Sequence, residues 1–480
     1  MNRTVALVAS FCLLWLSCLT GCSDRGYYVS SDEAPLRFSA DTVAFETVFS
    51  GIGSTTAWLT VFNPHGQTVR LDSVFLQSQG ASGFRISVDA LPGNGCSGLE
   101  IPSGDSLFVF IELTAPLQHS PEPVSLADRI VFRSGEGQQD VVLTALSQDA
   151  VLWKGKTLAA DTVLTADIPF LIYDSLVVAP GVRLEIGEGT TFFFHDGAMF
   201  YDYGTVSAEG SVQKPVVFRG DRLDNAFTDF PYDNYPGQWE GIYLAPESSG
   251  NLFRHVKVRG AHYGIIADST LDAAACKLRL TDSEVFNVTY YALYNLCSRV
   301  EVRNSLLANA GLYAVLLIGG STELIHCTIA DYQTFVSRSG AYPALAAVNF
   351  TGDASGGHLQ AYPLEKVSVI NSVIYGQQKD EVGYGRLEDV PFHLSLSHTL
   401  IRQETPLDTA FTDNVWYNED PLFLCTGQDY RYDFRPDSLS AVTDRADTLW
   451  SRLLPLDLDG LDRISSDGKA DLGAYRSPRK

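Results

Sequence analysis

The chain has 480 residues, with 57 acidic side chains against 34 basic ones and a formal charge of −23. Such a balance repels phosphate backbones and argues against nucleic acid as a partner. Eight cysteines at irregular spacing, without a CxxC pair, outline neither a metal site nor a disulfide framework.

At the start, Arg3 precedes an apolar run from Val5 to Leu19, followed by Leu19-Thr20-Gly21-Cys22. A basic end, a short apolar stretch and small residues at a cleavage point make residues 1–21 a secretory signal. The Leu-Thr-Gly-Cys ending resembles the lipobox of bacterial lipoproteins. That resemblance implies Cys22 as the first mature residue, carrying the lipid, and an outer-membrane lipoprotein facing the periplasm or the cell surface. Residues 22–35 are polar and aperiodic and read as a flexible tether. No later run is long and apolar enough to span a bilayer. Of the remaining cysteines, Cys276 and Cys297 are the expected couple if any pair; the alternative is small buried hydrophobes.

Residues 36–148 show short alternating segments between Gly, Pro and Asn turns: "TAWLTVFN" (56–63), "TVRLDSVFL" (68–76), "SLFVFIEL" (106–113), "DRIVFR" (128–133) and "DVVLTAL" (140–146). Period-two strands at such spacing predict an antiparallel β-sandwich. "GLEIPSGDSLFVFIELTAP" and the Asn63-Pro64-His65-Gly66 turn resemble immunoglobulin-like domains of the major-sperm-protein type, which implies a spacer or docking role.

Residues 149–440 are organised by a repeated string. "FRHVKVRG", "LTDSEVFN", "VRNSLLAN", "LIHCTIAD", "VINSVIYG" and "LSHTLIRQ" begin at 253, 280, 302, 324, 369 and 396. A period near 22 is one coil of a solenoid, and the interval of 45 is two coils or one coil with an insertion. Positions one and six are always apolar and predict core. Position three is His255, Asp282, Asn304, His326, Asn371 or His398, which predicts a corner where a side chain bonds freed backbone groups or its stacked neighbours. Tyr291, Tyr313 and Phe335 recur at 22 residues and predict a ring stack. These columns predict a parallel β-helix. "VVAPGVRLEIGEGT", "PGQWEGIYL" and "GGSTELIHCTIADY" resemble right-handed β-helices of the pectin-lyase-like fold in bacterial surface lipoproteins. "DPLF" (420–423) and "DLDGLDRISSDGKADLGAY" (457–475) resemble the ending of that family, so 441–480 is expected to be its cap or tail. The fold class is therefore all-β: a sandwich, then a right-handed parallel β-helix.

Chemistry is sparse. The insertion "GDRLDNAFTDFPYDNYPGQW" (220–239) gathers Asp221, Arg222, Asp224, Asp229, Tyr232, Asp233, Tyr235 and Trp239. Oxygen ligands suit Ca2+ and rings suit sugar faces, so these residues are the candidate glycan or cation site; an exposed acidic flap is the plainer alternative. Glu301 and Glu323 share a column, and a solvated Arg/Glu face explains them. "DLDGLD" (457–462) has its glycine misplaced for an EF-hand and reads as a turn. The expectation is a rigid, non-catalytic module binding a polysaccharide or another surface protein. A polysaccharide lyase or glycoside hydrolase, or a purely structural or adhesive protein, are the alternatives.

Overall fold

The computed structural model describes residues 28–29, 35–165, 168–227, 230–272, 274–335, 342–352 and 359–478. The expected signal segment, Cys22, most of the tether and Asp229 lie outside them. The chain divides into two compact units, 1–148 and 149–480. Among the described residues, no helix is long and apolar enough to cross a membrane.

In the first unit one sheet runs Tyr28–Val29, Thr68–Leu76, Val124–Ser134, Gly137–Gln148, Thr42–Phe49, with Gly95–Ile101 also paired to Thr68–Leu76. The second runs Arg37–Phe38, Ala57–Phe62, Ser106–Leu113, Phe84–Val88, Leu91–Gly93. Alternation along the strands turns Leu59, Val61 and Val109 of one sheet and Val69, Leu71 and Ile130 of the other into one core. This is a β-sandwich with two departures from the antiparallel expectation. Thr42–Phe49 pairs parallel with Gly137–Gln148. Tyr28 and Val29, within the expected tether, pair parallel with Thr68 and Val69.

The second unit is a parallel β-helix whose coils each lay one strand on three faces. The first face carries Asn251–Arg254, Cys276–Thr281, Arg299–Arg303, Gly320–Ile325 and Leu364–Ile370. The second carries Val256–Arg259, Glu284–Val288, Leu306–Ala310, Thr328–Asp331 and Val373–Gly376. The third carries Trp239–Leu244, Ala261–Ala267, Tyr291–Leu296, Tyr313–Ile318 and Leu345–Val348. Leu280, Val302, Leu324, Val369 and Leu396 stand in one register, as do Val285, Leu307, Ile329, Ile374 and Ile401. Leu324 is the direct neighbour of Val369, so the interval of 45 is one coil with an insertion. In the early coils the core is aromatic: Phe170, Phe192 and Phe218 share a register and stack at 5.2 and 5.1 Å.

The corner column holds. All six position-three residues have φ between 47° and 52°, the left-handed region that Asn and Asp tolerate best. Asn304 donates to Asp282 Oδ1 at 2.7 Å, and Asn371 Nδ2 lies 3.0 Å from His326 Nε2. Position four, occupied by Val256, Ser283, Ser305, Cys327, Ser372 and Thr399, takes part as well. The Ser283 hydroxyl donates to Thr281 O and accepts from Val256 N, and Ser372 repeats this with Ile370 O and Cys327 N. The bend thereby leaves these backbone groups satisfied.

Two expectations change, and the open question of Cys276 and Cys297 is answered. Tyr291 and Tyr313 stack at 6.1 Å, but the column extends back to Tyr263, also 6.1 Å from Tyr291, and not forward to Phe335. Phe335 instead meets Phe230 and Tyr430, because the long insertion of that coil carries it away. Glu301 is buried rather than solvated, held by Arg279, Arg299 and Arg303. Cys276 and Cys297 are free thiols.

The C-terminal segment lies along the second face. It covers outward-pointing apolar residues: Phe286, Leu306 and Ala308 pack against Phe434, Leu458 and Tyr475, while Val373 and Leu400 pack against Val442 and Leu472. It is fastened to the corner column. Arg463, fully buried, donates to Asn304 Oδ1, to Gly473 O at 2.8 Å and to Leu454 O at 3.3 Å. Asn371 exchanges two bonds with the backbone of Asp447, and Ser451 Oγ lies 3.0 Å from His326 Nε2.

Candidate functional site

The cover on the second face starts at Phe286. In the preceding coil the outward positions are Lys257 and Arg259 instead of apolar residues. At this boundary a cavity of about 280 Å³ opens, lined by Arg259, Glu284 and Phe286 from the stack, Asn234 from the 220–239 insertion, and Tyr432–Arg435, Asp459 and Tyr475 from the C-terminal segment. The "DLDGLD" turn, with Gly460 at φ 78°, delivers Asp459 to it.

The groove's charges are arranged unequally. Glu284 accepts from Arg259 at 3.1 Å and pairs with Lys257 at 2.9 Å. Burial works against its charged form, but these two cations outweigh that and hold the carboxyl below its ordinary range. Asp459 is raised, first by burial and then by the neighbouring Asp457 charge; Arg435, 4.0 Å away, only partly opposes this. Tyr475 is pushed well above the ordinary phenol value by burial. Beside the groove, Phe230, Tyr235, Phe335 and Tyr430 form a ring cluster with centroids 4.7–5.5 Å apart, of which Tyr235 and Tyr430 face solvent.

The insertion's predicted residues separate in space. Asp221 Oδ2 is hydrogen-bonded to His195 Nδ1 at 2.7 Å, and His195 stacks on Tyr173 at 4.1 Å. Burial raises the Asp221 carboxyl, with His195 opposing. Arg222 forks onto Asp224 at 2.8 and 2.7 Å and lies 4.2 Å over the Tyr232 ring. Asp233 bridges Arg219 at 3.3 Å and Arg259 at 2.9 Å. Each described carboxylate of the insertion is thus engaged by a protein cation or imidazole rather than pooled for Ca2+. Among the described residues no group of three acidic, His or Cys side chains is placed to hold a metal ion.

Trp239 requires correction as a surface ring. It is 0 % exposed, stacked on Phe194 at 4.2 Å, with its indole N–H given to Arg259 O at 2.9 Å. Its place in the strand Trp239–Leu244 turns it inward, and only Tyr232 and Tyr235 remain outside the core. Asp459, Glu284 and the hairpin Phe423–Thr426/Tyr432–Pro436 were not singled out by the sequence reading. The signal was present in apolar outward positions such as Phe286 and Leu306, which an uncovered strand would not carry.

The sequence matches no family model and no curated protein. Among solved structures it overlaps a family 123 glycoside hydrolase from Clostridium perfringens (8 % identity, 25 % of this chain and 30 % of that one, TM-score 0.18). It also overlaps a PapD-like domain of human CEP192 (11 %, 24 % and 85 %, TM-score 0.16) and the Vibrio cholerae VesB protease (12 %, 23 % and 31 %, TM-score 0.16). The chain spans under a third of the length of the first and the last of these.

Proposed function

We propose that the protein is a surface-anchored lipoprotein, lipidated at Cys22 and carrying an immunoglobulin-like spacer, whose β-helix binds a glycan in the groove on its second face. The observation that carries this reading is the groove itself. Paired charges line a concave site beside solvent-facing Tyr235 and Tyr430, the combination of fixed polar groups and flat rings that sugars require. The ion pairs that fix Arg259 and Glu284 keep those polar groups preorganised. A glycan array probed with the chain from residue 22 tests the binding. Hits weakened at least tenfold by Tyr235→Ala with Tyr430→Ala support it, and an array without hits refutes it. Cys22→Ser is expected to move the protein from the detergent phase to the aqueous phase.

A hydrolytic reading has one observation of its own. Glu284 and Asp459 line the same groove, one held ionised by two cations and the other raised by burial, the pairing of an ionised carboxylate with a raised one that glycosidases use. Release of reducing sugar from an array hit, abolished by Asp459→Asn with binding retained, would establish it. Binding without release by the unaltered chain would eliminate it.

A further inference from the structure

The first unit carries an aromatic surface of its own, on one of its two sheets. Along Ala57–Phe62 and Ser106–Leu113 the inward positions are buried aliphatics, and the outward ones carry four rings, Trp58, Phe62, Phe108 and Phe110, beside Thr60, Ser106 and Glu112. Trp58 is 67 % exposed, Phe62 43 %, Phe108 47 % and Phe110 42 %. The two strands are central in their sheet, flanked by Arg37–Phe38 and Phe84–Val88. Trp58 stands directly opposite Phe110, and Phe108 opposite Thr60, so the rings form one patch. Phe108 and Phe110 lie nearly parallel, 6.4 Å apart and 22° in plane. Outward Phe and Trp on central strands do nothing for the sandwich core, and a contiguous exposed apolar patch is the informative departure from an ordinary surface.

Three features decide what fits there. The first is area. Four rings that bury about 150–250 Å² each when fully covered, here roughly half exposed, leave about 400 Å². A stable protein interface takes about 800 Å² from each partner. The patch is too small for a second copy and matches two or three sugar rings. The second is charge. The rim carries Arg37 beside Phe62, Asp89 beyond Phe108, and the Arg85–Glu112 pair next to Phe110, so the signs balance. A neutral partner meets no net field, whereas the whole chain at −23 repels a polyanion. The third is shape. Flat rings on a pleated sheet present π faces, and the C–H groups on a pyranose face carry the complementary partial positive charge. Hydroxyl partners stand between and beside the rings in Thr60, Ser106 and Ser87.

We propose that Trp58, Phe62, Phe108 and Phe110 form a platform for a neutral polysaccharide, a site independent of the β-helix groove. The platform grips sugar rings by stacking, with Thr60, Ser106 and Ser87 as hydroxyl partners, and needs no metal. Its balanced rim selects against uronate-rich and sulfated chains.

Native affinity electrophoresis of the chain from residue 22 tests this, with hydroxyethylcellulose, laminarin and galactomannan as neutral probes and alginate as the acidic one. At least one neutral probe is expected to retard the protein and alginate is not. Trp58→Ala with Phe110→Ala is expected to reduce that retardation at least tenfold. Trp58→Tyr, which keeps a flat ring, restores most of it. The rings are exposed, so an unchanged unfolding curve for the double variant shows that the loss is not misfolding. Failure of all three neutral probes overturns the proposal, as does equal retardation of the Trp58/Phe110 variant. Ring-dependent dimerisation in sedimentation, or ring-dependent pelleting with phosphatidylglycerol vesicles, would assign the patch to a second copy or a lipid surface and overturn it too. Loss through the Tyr235/Tyr430 variant alone would locate binding in the groove and leave the platform reading refuted.

Discussion

Replacing Asn304 by Ala tests whether the corner column fastens the C-terminal segment. Asn304 is 1 % exposed, sits at φ 50°, donates to Asp282 and accepts from the fully buried Arg463. Removing the amide orphans a buried guanidinium N–H, which costs about 1.5–3 kcal/mol, and loses the ladder bond, about 1 kcal/mol more. Ala in the left-handed region adds about 1 kcal/mol. The sum is about 4 kcal/mol, a large fraction of a domain's stability. Asn304→Gly removes the backbone strain and is expected to recover about 1 kcal/mol of it. Urea unfolding of the chain from residue 22, followed by tryptophan fluorescence and circular dichroism, reads both variants. The separate transition of the sandwich serves as an internal reference. If both variants lie within 1 kcal/mol of the parent chain, or if only the sandwich transition moves, the fastening role of the column is wrong.

His326 faces Arg463, Ser451 and Asn371; burial, then the Arg463 charge, holds its imidazole well below the ordinary 6.5. The unfolded chain therefore binds the proton first. Stability is complete above pH 6.5 and falls by up to about 1.4 kcal/mol per pH unit as the pH drops below it. His326→Asn, the residue the same column uses at 304 and 371, is expected to flatten that slope, and an unchanged slope between pH 6.5 and 5 would refute it. Trp239→Ala is expected to cost about 3–5 kcal/mol while folded protein keeps its glycan affinity; reduced affinity at unchanged stability would return Trp239 to the binding site. Ending the chain at residue 440 strips Val442 and Leu472 from Val373 and Leu400, and Leu458 and Tyr475 from Phe286 and Leu306, leaving the latter pair only the strand Tyr432–Pro436. The shortened chain is expected to bind an apolar dye and aggregate, and a soluble, dye-negative product would show that the segment covers nothing essential.

The register of the β-helix was legible because each coil repeats one solution to one local problem. Positions one and six fill the core, and position three must tolerate positive φ, so the choice of residue at each is narrow. Trp239 was misplaced for the opposite reason. Aromatic residues serve both core and surface, and the insertion preceding Trp239 obscured where the strand Trp239–Leu244 begins. Asp459 was unreadable because it reaches Glu284 across 175 residues of chain, and no spacing rule connects a turn in a tail to a strand so far back. The rings of the sandwich lay in plain view as alternation in "TAWLTVFN" and "SLFVFIEL". Alternation alone does not say which parity faces the core when both parities are apolar.

That ambiguity is itself informative on the second face. A strand with one wet side alternates, whereas one covered on both sides is apolar throughout. "VRNSLLAN" is apolar at positions five to seven, Leu306, Leu307 and Ala308, and its outward side is indeed covered by Phe434 and Ala474. "FRHVKVRG" carries Lys257 and Arg259 at the corresponding outward positions, where both pair with Glu284 of the next coil. "LTDSEVFN" is split, with Glu284 charged and Phe286 apolar, and the groove opens at that coil. The passage from charged to apolar outward positions thus marks where the C-terminal cover begins. The groove sits there because ionised side chains need solvent or partners, and Arg259 and Glu284 find both at the edge of the cover.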